Sequence, residues 1–335
     1  MNIFITLDYE IFFGEATKDI DKYLIQPTQL LLTQFNKHNI KAIFFIDIGY
    51  LMAIKKYKQQ FHELENDYQK IVSQIKSIDA AGHDIGLHVH PHWEDCTYNG
   101  HNWQMVLKRF KLADFDKESA EKIFIHYYNE LKKLVSQKIV SYRAGGWCLE
   151  PFNYIKNAML SCGIVVDSSV FSNAKSTTQT HHFNYTHYPQ KSIWHFSTTP
   201  QIEEKNGQFI EIPITAHSVS PTLYWHILKE RLLHRKETST KGKATKPSKI
   251  ETIKKLLFRT TDVISFDQHK VELLLPTLKK IREINQENVC IIAHPKCFSN
   301  QTYVAIDQLM EFANKQNCSI QTFSQLVLQS SYTLV

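Results

Sequence analysis

Short apolar runs alternate with amphipathic segments along the chain. Near-continuous apolar runs are typical of buried parallel strands, whereas apolar residues at helical spacing predict helices that cover a sheet. The runs that predict strands are residues 2–7, 41–46, 83–89, 138–142, 164–166, 209–213, 289–293 and 319–322. The segments that predict helices are residues 26–38, 67–81, 117–136, 151–161 and 271–285. This alternation predicts an α/β fold with a mainly parallel sheet.

The pattern contains no break that would divide the chain into two folded parts. We find no internal repeat and no clean linker, so residues 1–335 are predicted to form a single domain. Two polar stretches, at about 172–192 and 229–250, are predicted to be insertions into that domain. Hydrophobic residues make up 43% of the chain and charged residues 21%, which excludes global disorder. No apolar run approaches the roughly 18–20 residues of a membrane-spanning helix, so no such span is predicted.

The net charge of +6 is concentrated in one segment. Residues 229–249 contain eight Lys or Arg and two Glu, so this segment carries +6 and the rest of the chain is close to neutral. A nucleic-acid-binding face spread over the fold is therefore not indicated. The segment is either a solvated loop or a surface that contacts an anionic membrane or an acidic glycan.

The six cysteines are scattered and none forms a Cys-x-x-Cys pair, so a disulfide framework is not indicated. The first residues are a strand-like run without the basic and apolar regions of a signal peptide. The expected location is therefore the cytoplasm.

Polar side chains of chemically useful types follow several of the predicted strands. They are Asp8 and Glu10, the three histidines His88, His90 and His92, and then Arg143, Asp167 and His294. Sites in parallel α/β folds lie at the carboxyl ends of the strands, where the loops converge. Signatures of other hydrolases and of nucleotide-binding proteins, such as Gly-x-Ser-x-Gly, His-Glu-x-x-His and the P-loop, are absent from the sequence. We therefore expect these side chains to form one site.

The histidine cluster predicts a metal site. Pro91 disfavours a helical conformation at His90, and an extended chain would direct His88, His90 and His92 to one side. Three imidazoles that converge in this way suit Zn²⁺ or a similar divalent transition metal. The alternative is a polar loop in a chain that contains 17 histidines.

The remaining polar residues offer roles beside a metal. Asp8 and Glu10 are two residues apart, so one could bind the metal while the other takes a proton from water. Arg143 could hold a carboxylate in its ionised form, and His294 could protonate a leaving group. Each residue could instead be structural. Asp8 would then be a polar residue at a strand end and Glu10 part of a surface ion pair. Arg143 would form an ordinary ion pair, and His294 would be a hydrogen-bonded buried histidine.

These residues and their neighbours resemble the motifs of the polysaccharide deacetylase family, carbohydrate esterase family 4 or the NodB-homology domain. The similar segments, in the family's order, are Thr-Leu-Asp-Tyr-Glu at 6–10, Lys-Ala-Ile-Phe-Phe-Ile at 41–46, Gly-His-Asp-Ile-Gly-Leu-His-Val-His-Pro-His at 82–92, Tyr-Arg-Ala-Gly-Gly at 142–146, Gly-Ile-Val-Val-Asp-Ser-Ser at 163–169 and Ile-Ile-Ala-His at 291–294. The resemblance implies a distorted (β/α)7-type barrel. It also implies metal-dependent removal of an N-acetyl group from a sugar.

The resemblance also implies roles for individual residues. Asp8 would be the general base, Arg143 would orient it, and His294 would be the general acid. His88 and His92 would be metal ligands, because they match the family's i, i+4 histidine pair. Tyr9 stands where the family has its second Asp. Glu10 is the expected substitute ligand, and this departure leaves room for His90 as a further candidate.

A further motif of the family, an Asp near a Trp, has no clear counterpart. Asp262 or Asp267 could supply the carboxylate, and Trp194 or Trp225 the apolar wall.

Two other functions remain open at this stage. One is a hydrolase of another C–N bond, such as a cyclic amide, on the same scaffold. The other is a non-catalytic glycan-binding module with a degraded site, which the Tyr9 departure would favour. For a deacetylase in the cytoplasm, a nucleotide- or lipid-linked glycan used in surface polysaccharide biosynthesis is the expected substrate. The basic segment 229–249 would then meet a diphosphate or an anionic membrane surface.

Overall fold

Parallel strands and covering helices make up most of the computed structural model, which describes residues 1–12, 19–233 and 249–329. The strands are β1 (Asn2–Tyr9), β2 (Ile43–Asp47), β3 (Asp84–Val89), β4 (Thr97–Tyr98), β5 (Trp103–Gln104), β6 (Ser141–Ala144), β7 (Val166–Asp167), β8 (Lys175–Thr177), β9 (His182–Asn184), β10 (Trp194–Phe196), β11 (Phe209–Glu211), β12 (Ala216–Val219), β13 (Thr260–Val263), β14 (Asn288–Ala293) and β15 (Ser319–Ile320). The helices are α1 (Gln26–Lys37), α2 (Ile48–Tyr57), α3 (His62–Ala80), α4 (Lys117–Lys132), α5 (Lys156–Cys162), α6 (Pro221–Leu233), α7 (Lys249–Leu257), α8 (Val271–Glu283), α9 (Asn300–Lys315) and α10 (Phe323–Gln329).

The main sheet has the order β10-β11-β7-β6-β3-β2-β1-β14, and β15 adds to the start of β1. Seven of these strands, from β11 to β14, run parallel, and only β10 is antiparallel to its neighbour. The pairing register sets His88 beside Arg143 and also beside Asp47. The carboxyl ends of the central strands therefore meet at one edge, as the sequence predicted.

Irregular backbone closes the sheet between β11 and β14. The Thr215 amide donates to the Cys290 carbonyl, the Ile264 amide donates to the Thr215 carbonyl, and the Ile292 amide donates to the Ile264 carbonyl. Because these bonds replace a regular strand ladder, the ring is a distorted barrel. The predicted fold class is confirmed.

Alternation along β1 separates the core from the site. Ile3, Ile5, Leu7 and Tyr9 are buried in the large apolar cluster that also contains residues of the helices. Phe4 lies in a second apolar cluster with Phe45, Ile210 and Phe323 of α10. Thr6, Asp8 and Glu10 follow Phe4 at a spacing of two residues, so β1 carries apolar packing at its start and polar chemistry at its end.

Some predicted elements differ from those observed. Strands β6 and β7 begin two or three residues later than predicted, while α2 and α9 were not predicted. The predicted insertion at 172–192 contains the antiparallel pair β8–β9. Most of the predicted insertion at 229–250 lies outside the described residues, and so does most of the basic segment 229–249. The single-domain assignment stays a prediction. Within the described part of the chain, every helix is too short or too polar to cross a bilayer.

Candidate active site

Asp8 is fixed by Arg143 at the carboxyl end of the sheet. Arg143 is fully buried, and its Nη1 donates to Asp8 Oδ1 at 2.6 Å. The other guanidinium nitrogens donate to the Ser168 carbonyl and hydroxyl. Burial opposes ionisation of Asp8, but Arg143, together with His88 and His294, outweighs it and lowers the pKa of Asp8. Asp8 is therefore held as a carboxylate with a fixed orientation.

Tyr9 leaves the site because the strand alternates. Its side chain is buried among the apolar residues on the other face of β1, and its hydroxyl donates to Gln74 Oε1 at 2.9 Å. Glu10 returns to the face of Asp8, as the alternation predicted. The departure at Tyr9 therefore does not remove a carboxylate from the site but moves it one residue along the chain.

Three potential ligand atoms converge beside Asp8. His90 Nε2 lies 2.7 Å and His88 Nε2 lies 3.6 Å from Glu10 Oε2, and the two histidine Nε2 atoms are 3.1 Å apart. His88 Nδ1 lies 2.8 Å from the Arg143 carbonyl oxygen, which can only accept a hydrogen bond. His88 therefore donates from Nδ1, and its Nε2 faces the cluster.

This donor set fits a divalent metal ion. In a tetrahedral zinc site with metal–ligand distances near 2.0–2.1 Å, neighbouring ligand atoms are about 3.3 Å apart, and the observed separations of 2.7, 3.1 and 3.6 Å lie on both sides of that value. Two imidazole nitrogens and a carboxylate oxygen suit zinc and similar transition metals. Among the described residues, Glu10, His88 and His90 form one candidate metal group, and Asp8, Glu10 and His294 form an overlapping one.

The structure places His92 apart from these groups. Strand β3 ends at Val89, and Pro91 opens a short 3-10 helix that runs to Glu94. The expectation of an extended chain through His92 is therefore wrong, since this turn swings His92 away. Its ring stacks on Phe110 at 5.1 Å between centroids, and burial lowers its pKa well below the usual value. The geometry brings His90, not His92, to Glu10 and His88.

His294 forms a dyad with Asp267. His294 Nδ1 lies 2.7 Å from Asp267 Oδ2, and the His294 amide donates to Asp267 Oδ1. Burial opposes protonation of His294, but Asp267 outweighs it and raises the pKa of His294. The other nitrogen, Nε2, faces Asp8 Oδ2 at 3.5 Å. Of the two carboxylates considered from sequence, Asp267 is at the site, whereas Asp262 pairs with Lys270.

Lys296 is a buried cation that sequence reasoning missed. Its Nζ donates to Glu10 Oε1 at 2.8 Å and to the Ile11 carbonyl. Burial raises the pKa of Glu10, but Lys296 and His90 outweigh it, so the pKa of Glu10 lies well below its ordinary value. One Glu10 oxygen is thus tied to Lys296 while the other faces the two histidines. A lysine two residues after His294 was visible in the sequence but belonged to none of the motifs.

A cavity of about 210 Å³ opens onto these groups. Apolar rings form part of its wall, and Thr180 and His181 of the β8–β9 connection line it as well. The rings are those of Phe12, Phe110 and Trp147. The two tryptophans considered from sequence do not line this cavity, because Trp194 is buried elsewhere and Trp225 lies exposed on α6. The polar insertion thus contributes to the site instead of lying beside it.

Asp167 does not join the cavity. It pairs across the sheet with Glu211, and both carboxyls are fully buried. Asp167 accepts hydrogen bonds from the Ser169 amide and hydroxyl. The Ser169 hydroxyl in turn accepts a hydrogen bond from the Ala144 amide. Burial raises the pKa of both carboxyls. The pair braces the strand that carries Arg143.

Gly145 and Gly146 permit close approach at the site. A Cβ on Gly145 would lie 2.6 Å from both His90 Nδ1 and the Val89 carbonyl oxygen. Gly146 has a φ of +60°, and a Cβ there would lie 2.0 Å from the Thr180 carbonyl oxygen. The two glycines therefore let His90 and the β8–β9 connection pack against the end of β6.

Replacement of Gly145 by Ala is expected to displace His90 and weaken metal binding at least about tenfold. The clash with backbone should also cost about 1–3 kcal/mol of unfolding free energy. Chelator competition and chemical denaturation measure the two effects. Gly163→Ala is the control for metal binding, because a Cβ there meets open space, although its φ of +71° adds backbone strain that Gly145→Ala does not have. Unchanged metal affinity in Gly145→Ala would mean that His90 is not a metal ligand.

Comparison with known proteins gives structural matches. No family model and no curated protein matches the chain. A protein from Mycobacterium smegmatis assigned as a polysaccharide deacetylase has a TM-score of 0.54 and 14% identity, over 98% of this chain and 89% of its own. Puue allantoinase has a TM-score of 0.53 and 10% identity, over 99% of this chain and 91% of its own. A 4-alpha-glucanotransferase from Thermococcus litoralis has a TM-score of 0.51 and 10% identity, over 99% of this chain and 40% of its own. At these identities the structural similarity is evidence for the fold alone. The chain has the fold of the polysaccharide deacetylases, as its motifs predicted.

Proposed function

We propose that the protein is a metal-dependent hydrolase that removes an N-acetyl group from a sugar. The observation that carries this proposal is the convergence on one cavity of an Arg-held carboxylate, a Glu–His–His group and an Asp-supported histidine. Amide hydrolysis needs a base for water, an electrophile for the carbonyl and an acid for the leaving nitrogen. These three groups supply the three functions.

Glu10, His88 and His90 would hold the metal, most simply Zn²⁺. A bound divalent ion supplies polarisation of the amide carbonyl and a lower pKa for water. His92 was the ligand implied by resemblance, and its stacking on Phe110 argues for His90 in its place.

Asp8 and His294 would handle the protons. Asp8, kept ionised by Arg143, takes a proton from the attacking water. His294, kept protonated by Asp267, gives a proton to the departing nitrogen, so that acetate and a free amine are the products. Asp8 Oδ2 and His294 Nε2 are 3.5 Å apart, so both groups reach the same small volume.

The cavity suits a small group. Its volume of about 210 Å³ is below the roughly 300–1,000 Å³ of pockets that enclose drug-sized ligands. One acetamido sugar unit, free or at the end of a nucleotide- or lipid-linked glycan, is the substrate we propose. A small cyclic amide is a second candidate, because the same cavity size and the same three groups suit it.

A substrate panel with the zinc-loaded protein tests this function. N-acetylated monosaccharides and oligosaccharides are assayed for acetate and free amine, and cyclic amides are assayed for ring opening. Acetate release that stops on chelation and returns with metal supports the deacetylase. Ring opening without acetate release would replace it with the second candidate. Bound metal without any turnover would favour the non-catalytic glycan-binding alternative.

The Asp267–His294 dyad predicts a specific change in pH dependence. A general acid must be protonated, so activity falls as the pH rises through the pKa of His294. Asp267 raises that pKa, and Asp267→Asn should therefore shift the alkaline limb of the pH–kcat profile to lower pH. We also expect kcat to fall about tenfold or more, since the ring loses its fixed orientation.

Asp262→Asn is the matched control, because this carboxylate pairs with Lys270 on the same stretch of chain. Its alkaline limb should stay in place. An unshifted limb in Asp267→Asn would mean that His294 is not the acid.

A further inference from the structure

Helices α6 and α7, together with Phe258 directly after α7, expose four large apolar side chains. Trp225 is 52% exposed, Ile253 55%, Leu257 60% and Phe258 64%. Ile253 and Leu257 are one helical turn apart, so they share a face of α7. Trp225 Nε1 donates to the Leu256 carbonyl at 2.9 Å, which ties the exposed indole of α6 to the end of α7. We call residues 221–233 and 249–259 the helical arm.

Positive charge surrounds these apolar groups. Lys229, Lys254 and Arg259 are exposed beside them, and the Lys255 ammonium lies over the Tyr224 ring. The sequence from 221 to 259 contains eleven Lys or Arg and three Glu, a net charge of +8. The whole chain carries +6, so the remainder is slightly negative. The excess positive charge is therefore confined to the arm and its connection.

We propose that the helical arm docks the protein on an anionic lipid surface. Trp, Phe and Leu on a helix flanked by Lys and Arg are typical of segments that lie in the membrane interface. The aromatic and aliphatic groups would enter the boundary between headgroups and acyl chains, while the basic side chains meet anionic headgroups. A purely electrostatic partner such as a nucleic acid would leave Ile253, Leu257 and Phe258 without a role.

The arm joins the body of the protein at the end of the barrel opposite the active site. Strands β12 and β13 pair antiparallel at its base. Ser218 and Thr261 of this pair line a cavity with Gln286 and Asn288 at the start of β14, whereas His294 follows the end of β14. Membrane binding is inferred from the arm alone and does not depend on the proposed function.

Vesicle co-sedimentation tests the proposal on the full chain. The vesicles are phosphatidylcholine alone and phosphatidylcholine mixed equally with phosphatidylserine. We expect binding to the mixed vesicles, little binding to the neutral ones, and weaker binding as salt is added. The double variants Trp225→Ser/Phe258→Ser and Lys254→Glu/Arg259→Glu should each lower the partition coefficient at least about tenfold.

Matched controls use exposed groups elsewhere on the surface. Ile284→Ser/Val304→Ser removes two similarly exposed apolar groups, and Lys279→Glu/Lys280→Glu reverses two exposed charges on α8. Both should bind mixed vesicles as the native protein does, and circular dichroism checks that every variant is folded.

Binding to neither vesicle, or equal loss in the controls, would overturn the proposal. So would an oligomer that dissociates in Trp225→Ser/Phe258→Ser without any vesicle binding, since the arm would then be a contact between copies. The arm variants should keep native turnover of a soluble N-acetylated sugar. A failed substrate panel with intact vesicle binding, or the reverse, therefore tells the two proposals apart.

Discussion

Asp8→Asn is expected to lower kcat by about 10²–10⁴-fold while the protein keeps its bound metal. Asparagine has nearly the same shape as aspartate but cannot accept a proton from water. Its amide oxygen can still accept the hydrogen bond that Arg143 Nη1 gives to Asp8 Oδ1. The arrangement of Glu10, His88 and His90 should therefore survive, and metal per chain should equal that of the native protein. Metal content and kcat measured on the same preparation give both quantities.

Loss of the Asp8 charge also has a structural cost. Arg143 is fully buried and loses its only close anionic partner among the described residues, although it still donates to Ser168. Breaking a buried pair in this way typically costs about 3–5 kcal/mol of unfolding free energy. Kinetics must therefore be measured well below the melting temperature, which thermal denaturation of the variant will define.

Asp84→Asn is the matched control for this experiment. Asp84 is also a buried carboxylate, but it lies at the start of β3, where it accepts a hydrogen bond from the Ser324 amide. That variant should lose stability without a comparable loss of kcat. If Asp8→Asn retains most of its activity, Asp8 is not the base. Glu10, the other carboxylate at the site, then becomes the candidate for that role.

The local sequence predicted the site wherever strand geometry alone decides the position of a side chain. Asp8, His88, Arg143 and His294 lie at or just beyond the ends of parallel strands, and the structure brings all four together. Glu10 follows from the two-residue period of an extended chain, which also buries Tyr9 on the opposite face. These assignments need no knowledge of distant contacts.

The sequence could not predict contacts made by loops and chain ends. Asp267 reaches His294 because the segment after β13 crosses the open side of the barrel. Lys296 reaches Glu10 across a separation of 286 residues. Thr180 and His181 arrive on the β8–β9 connection, within what the polar composition marked only as an insertion. Each contact depends on tertiary packing that no short motif encodes.

The unpredicted elements have similar causes. Helix α2 follows β2 without an intervening loop, so one apolar run from 42 to 54 contains both a strand and the start of a helix. Periodicity cannot divide such a run, since every residue in it except Met52 is buried. Strands β6 and β7 are short, and their exact start depends on their neighbours in the sheet.

His90→Ala and His92→Ala are expected to separate the two metal-site hypotheses. His90→Ala should lower metal affinity by at least about 100-fold, because it removes one of three converging ligand atoms. His92→Ala should keep near-native affinity and instead lose stability, since its ring packs against Phe110 and Trp93. Removal of a buried aromatic ring of this kind costs roughly 2–4 kcal/mol of unfolding free energy.

Plasma mass spectrometry on identically prepared proteins gives metal per chain, and chelator competition gives affinity. The absorption spectrum of the cobalt-substituted protein reports directly on the ligand set, so it does not depend on turnover. His92→Phe is a useful companion variant, because it keeps an aromatic ring against Phe110 and should restore stability while leaving the cobalt spectrum native. If His92→Ala loses the metal and His90→Ala keeps it, then the i, i+4 pair implied by sequence resemblance is the ligand set. The turn at Pro91 would in that case have to rearrange when metal binds.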